Sequence, residues 1–232
     1  MLSGQLKTSC KCYLFTPPKD DDFWISIGRA IKTKMMLCKG QFRFYYDRSG
    51  WDVIDLPFMG DDVSFVVIMP SQLDGHRIIG LQDGQSVHMK QGKAMGDIGT
   101  AITNHVWFSL LESVLSARLH QMEILLPKLR LRNEVNLMDS LRALGITDAF
   151  AEGRADFSGI GGSKDCRLSV LVHESVLDLD EEGVVGAAAT VGVVGRSLPG
   201  IVRVNRPFIF VIRDNRSGVI LFIGRVVDPT WL

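Results

Sequence analysis

The sequence lacks an excess of either charge, since Lys plus Arg and Asp plus Glu both number 26 in 232 residues. That balance gives no reason to expect nucleic acid or an anionic membrane as a partner. Cysteine is scarce. Cys10, Cys12, Cys38 and Cys166 form no Cys-x-x-Cys pair and no Cys/His cluster with metal-ligand spacing, so free thiols or an incidental disulfide are expected, with no metal and no cofactor. No run of about 18 uncharged apolar residues occurs, so no membrane-spanning helix is expected, and Met1 to Tyr13 lacks the apolar stretch of a secretory signal. No internal repeat is present. What remains is an ordinary globular composition, 46% hydrophobic and 22% charged, long enough for one or two domains with a sizeable core.

Along the chain, residues 1–22 read as an irregular entry, because Pro17-Pro18 and the polar run Lys19 to Asp22 break any period. Phe23 to Ile27, Gln41 to Tyr46, Trp51 to Leu56 and Val63 to Met69 read as strands of an antiparallel meander, separated at Gly40, Ser49-Gly50 and Gly60 to Asp62. From Gln82 to Asn104 neither helical nor strand period holds, and four glycines mark an insertion. Val106 to Leu119 then places Leu110, Leu111, Val114 and Leu115 on one helical face. Met122 to Leu131 reads as a strand bent at Pro127, and Leu137 to Leu144 as a short helix behind Asn133 or Asn136, stopped at Gly145. Leu168 to Asp180 carries apolar residues on both phases, as a strand covered on both faces would. Phe208 to Arg213 and Val219 to Val227 flank Asp214 to Gly218, a hairpin loop ending in glycine.

One segment stands out for its chemistry. Between Glu182 and Arg196, Gly183 to Gly195 contains no charge, no proline and no side chain larger than valine, behind the acidic Asp178, Asp180, Glu181 and Glu182. Such a stretch can be solvated as a loop and can also enter a sheet, because no charge has to be buried and no backbone donor is missing. The same composition suits a flexible linker or an aggregation-prone strand. Arg196 follows alone, with Ser197, Leu198 and the turn Pro199-Gly200 behind it. An arginine on a protruding loop suits the buried carboxylate in the specificity pocket of a trypsin-like protease.

These motifs resemble the serpin family. Val202-Arg203-Val204-Asn205-Arg206-Pro207-Phe208-Ile209-Phe210 with Leu221-Phe222-Ile223-Gly224-Arg225-Val226-Val227-Asp228-Pro229 is similar to its C-terminal signature. Leu144 to Phe150, Ala155 to Ile160, Leu56-Pro57-Phe58 and Met35-Met36 are similar in the same order. The resemblance implies an α+β serpin fold of mixed β-sheets with helices and an exposed reactive loop, here N-terminally truncated. Residues 23–232 would be a partial domain with an atypical insertion at about 82–104 and a reactive loop at about 181–200.

The function implied is inhibition of a trypsin-like serine protease through a cleaved loop that inserts into a sheet. Glu182, Gly183, Val184, Val185, Gly186, Ala187, Ala188, Ala189 and Thr190 would form the hinge, although Val185 and Gly186 stand where inhibitory members carry Glu and Ala. Counting from Gly183 puts the cut after Ser197, whereas counting back from Asn205 puts it after Arg196. The side chain favours Arg196–Ser197, whose surroundings resemble antithrombin-like inhibitory members. The family further implies an extracellular protein and admits a glycosaminoglycan partner. It also places the second strand flanking the inserted loop upstream of Met1, so these residues alone are expected to inhibit poorly.

Two other classes compete. The Phe208 to Gly224 block also resembles non-inhibitory members, a ligand carrier or a chaperone, but those usually put bulky, charged or proline residues in the hinge. An enzyme is not expected, because no Gly-x-Ser-x-Gly elbow frames Ser158, Ser175 or Ser197 and His173 has no recognisable triad acid. The resemblance gives His173 a structural role.

Overall fold

The computed structural model describes residues 2–7, 14–26, 28–48, 50–71, 106–161, 166–180 and 200–230. The insertion expected at about 82–104 and all but Gly200 of the reactive loop expected at about 181–200 lie outside them. The chain divides into two compact units, one holding residues 1–7 and 130–178 and the other 8–129 and 179–231.

The larger unit is built on a sheet in the order β11-β10-β5-β4-β3-β6-β9, with β2 also paired to β3. Its strands are β2 (Leu14–Ser26), β3 (Arg29–Asp47), β4 (Trp51–Pro57), β5 (Val63–Pro70), β6 (Leu119–Pro127), β9 (Gly200–Arg203), β10 (Phe208–Asp214) and β11 (Ile220–Val226). β3, β4 and β5 form the expected antiparallel meander. The helix α1 (Val106–Ser116) covers one face, where Leu110, Leu111 and Val114 pack with Trp51, Val53, Val66, Ile68, Ile209 and Val211. Phe65 and Phe210 stack at 5.5 Å on the same sheet, and every residue of β4 is buried. Central strands covered on both faces read as continuous apolar runs, as 63–69 and 208–212 do. The hairpin loop also stands as read: Asp214 N–H donates to the Val219 carbonyl, and Gly218 takes φ +74°, a left-handed conformation that glycine adopts without steric cost.

Three readings of the chain are corrected. Residues 1–22 are not irregular, since they contain β1 (Leu2–Lys7) and most of β2. Pro17-Pro18 falls at a register shift of the β2–β3 ladder, where missing donors are tolerated, and Asp20 and Asp22 lie directly opposite Lys34 and Lys32. The polar run is thus a cross-strand ladder of opposite charges. Gly40 separates no strands. It lies within β3, and a Cβ there would stand 2.6 Å from the Phe42 ring. Finally, the single bent strand expected at 122–131 is two strands in different sheets, broken after Pro127.

The smaller unit carries the sheet β1-β8-β7, with β8 (Val172–Leu179) and β7 (Leu129–Asn136). β1 runs parallel to β8, in register from Leu2 opposite His173 to Lys7 opposite Asp178. The chain thus carries a strand beside β8 at Leu2–Lys7, whereas the second strand flanking the inserted loop was expected upstream of Met1. The short helix α2 (Met138–Ala143) begins where Asn136 Oδ1 accepts from Met138 N–H, and Gly145 at φ +91° follows it. β8 is shorter than the 168–180 strand expected, and Val170 is 61% exposed. No residue of α2 is buried.

Candidate functional site: the anchors of the loop 181–199

All the residues expected to act directly, Glu182 to Thr190 with Arg196 and Ser197, lie outside the described residues. The structure describes β8, which precedes them in the chain, and β9, which follows them.

β8 is held on both edges. β1 pairs along one, and β7 lies along the other with two ion pairs, Arg130 to Asp178 at 2.8 Å and Arg132 to Glu174. Leu177 and Leu179 are buried, so the strand is ordered up to the start of the acidic flank. His173, given a structural role by the resemblance, is exposed on this strand.

β9 is only four residues long and pairs in parallel with β6, from Met122 opposite Gly200 to Leu125 opposite Arg203. Val202 and Val204 are buried, and Val204 N–H donates to the Leu125 carbonyl. Farther on, Trp24 N–H donates to the Asn205 carbonyl at 2.7 Å, and Arg203 pairs with Asp21 at 2.7 Å. Both of those charged side chains are more than a third exposed, so this pair is screened and holds weakly.

The strongest fastening follows. Arg206 donates through Nε to the Pro70 carbonyl at 2.6 Å, through Nη2 to Asp52 Oδ2 at 2.9 Å, and through Nη1 to the Arg203 carbonyl at 3.2 Å. Ser71 Oγ donates to the other Asp52 oxygen at 2.7 Å. Burial pushes the Asp52 carboxyl up and the Arg206 guanidinium down, and each is partly restored by the other's charge. The shared satisfaction of donors and acceptors offsets part of the cost of burying both groups. Sequence reading gave Asp52 and Arg206 no role. The available signal was the two aspartates, Asp52 and Asp55, inside the otherwise apolar run Trp51 to Leu56, which a buried strand admits only if their charges are paired.

Elsewhere in the same unit, Gln41, Arg43, Asp55, Leu115, Leu119 and Arg213 line a cavity of about 510 Å³. Its buried Asp55 is paired with Arg43 at 3.0 Å, and the lining contains no nucleophile beside a base. Among the described residues no group of His, Cys, Asp or Glu could hold a metal, and no helix is long and apolar enough to cross a membrane. Cys38 is disulfide-bonded and Cys166 is free and exposed.

The comparisons with known proteins agree with this architecture. The family described as serpin (serine protease inhibitor) matches residues 13–229. A serine protease inhibitor of Cyanea capillata is 32% identical over 213 residues, covering 91% of this chain and 51% of that protein. Human antithrombin-III is 30% identical over 216 residues, covering 89% and 41% respectively. Among solved structures, mouse protein-Z dependent protease inhibitor superposes with TM-score 0.72 at 25% identity, covering 98% of this chain and 54% of that one. Uncleaved ovalbumin, at 24% identity and TM-score 0.72, shares the fold. The chain spans about half the length of the curated relatives it matches. With the α+β architecture and a match across nearly its whole length, the chain belongs to the serpin family.

Proposed function

We propose that the protein to which this chain belongs inhibits a trypsin-like serine protease, with Arg196–Ser197 as the bond attacked and Glu182 to Thr190 as the hinge. The observation that carries the reading is the parallel pairing of β1 with β8. A segment that follows β8 and turns back on it runs antiparallel to both strands, so its insertion replaces one parallel ladder with two antiparallel ones. Parallel pairing is slightly the weaker per residue, so the exchange is favourable before any side chain is counted. The uncharged stretch Gly183 to Gly195 suits that burial. The expectation that these residues alone inhibit poorly rested on the inserted loop lacking its second flanking strand, and the pairing of β1 with β8 speaks against that premise. Relatives named as protease inhibitors support a protease as partner. The disulfide at Cys38 supports an oxidising, extracellular compartment.

Brief trypsin exposure followed by mass spectrometry tests the bait. The earliest cut should fall between Arg196 and Ser197, with an adduct that survives a denaturing gel. Earlier cleavage at other arginines, or a cut at Arg196 with no adduct from the longest form of the protein, would overturn the bait or the trap respectively.

A further inference from the structure

We infer that Arg206 is a positioning residue for the downstream end of the bait loop. The inference deepens the reading of Arg196–Ser197 as bait, and only its protease arm depends on that reading. β9, which receives the chain after the loop, has four residues, parallel pairing and an end position in its sheet. Each of these features makes for a strand that frays. Arg206 answers all three from one side chain. Its guanidinium reaches back to the carbonyl of Arg203, the last residue of β9, and at the same time grips Asp52 on β4 and the Pro70 carbonyl at the end of β5. Asp52 is in turn held by Ser71, whose backbone N–H donates to the Gly50 carbonyl.

Only a planar fork can satisfy these acceptors together, because an ammonium is a point charge on a flexible stem. The Arg206 side chain is 13% exposed, against 47% for Arg203 in its pair with Asp21, so the Arg206 link is the one that salt screens least. With that link intact the loop meets a protease with its downstream end already fixed. With it loosened, binding must also order residues 200–206, which weakens association while leaving the chemical step to the protease.

The test compares the full chain with Arg206→Lys, which keeps a positive charge opposite Asp52 but loses the fork. Hydrogen exchange over 200–204 should accelerate by about tenfold, while 208–212 in β10 keeps its protection. For trypsin cutting at Arg196–Ser197, KM should rise about fivefold with kcat unchanged. Unchanged exchange at 200–204 would overturn the inference. So would equal acceleration at 208–212, which would make Arg206 a general stabiliser. If the unmodified chain is not cut at Arg196, the bait reading falls and the exchange measurement alone decides the role of Arg206. Should Arg206→Lys fail to fold, Asp52→Asn, of the same shape, is read by the same exchange criterion.

Discussion

Gly224 lies directly opposite Phe210 in the β10–β11 ladder, and the Phe210 ring covers the face on which a side chain at 224 would stand. A Cβ there would overlap ring carbons of a residue that is itself 5% exposed and stacked on Phe65. Gly40 and Phe42 repeat the arrangement within β3. These glycines are required by space, so Gly224→Ala should destabilise by about 1–3 kcal/mol through overpacking. A urea midpoint unchanged from the parent would show that the ring moves aside freely.

What the sequence made legible was whatever is encoded between near neighbours. β4 and β5 were bounded by Ser49-Gly50, Gly60 to Asp62 and Pro70, the buried face of α1 by its helical spacing, and the last hairpin by Asp214 to Gly218. The misread parts depend on distant partners. Asp20 and Asp22 look like a loop until Lys34 and Lys32 are placed opposite them, and β1 has no identity without β8. Gly40 looks like a break until the Phe42 ring is seen over it. The fastening of residues 200–206 was not legible, because Asp52 and Arg206 are 154 residues apart.

Asp214 sets the acid sensitivity of that hairpin. Its carboxyl is held below the usual carboxylate value chiefly by Ser217, whose backbone N–H and hydroxyl both donate to Oδ1 at 2.7 Å, with a further bond from Arg216 N–H. A lowered folded value means that the ionised form is favoured by folding. Its stabilising contribution is therefore complete above the unfolded value of 3.8 and is lost as pH falls through the lower folded one. Asp214→Asn should be less stable than the parent at neutral pH, with the gap closing in acid. A gap that widened below pH 3.8 would reverse the sign and reject the assignment.

If the loop enters the sheet beside β8, the hinge must bury whatever side chain it carries. Val184→Arg would place a guanidinium in that path, at a cost of several kcal/mol unless it is paired. Insertion would then lag behind hydrolysis of the acyl-enzyme, and the inhibitor would become a substrate. The yield of gel-stable covalent complex should fall in the variant while cleavage at Arg196 continues. Equal yields would mean that residue 184 never enters the sheet.

Cutting the chain at Arg196–Ser197 should leave the C-terminal piece in place. β10 lies between β5 and β11 with paired neighbours along both edges, and Phe208, Ile209, Val211 and Ile212 are at most 1% exposed. Burying an aliphatic or aromatic side chain of this size is worth about 1.5–3 kcal/mol, so these four alone outweigh the modest cost of keeping two chains together at micromolar concentration. Arg206 adds its grip on Asp52 and Pro70, and Trp24 N–H its bond to Asn205. After trypsin nicking, the fragment should coelute with the remainder in size-exclusion chromatography under native conditions and separate only in denaturant. Arg206→Met, which leaves Asp52 buried without its cation, should lower the denaturant concentration at which it separates. Release of the fragment from the parent chain in plain buffer would show that β10 and β11 depend on covalent continuity through the loop, and would sink this account of what holds the C-terminus.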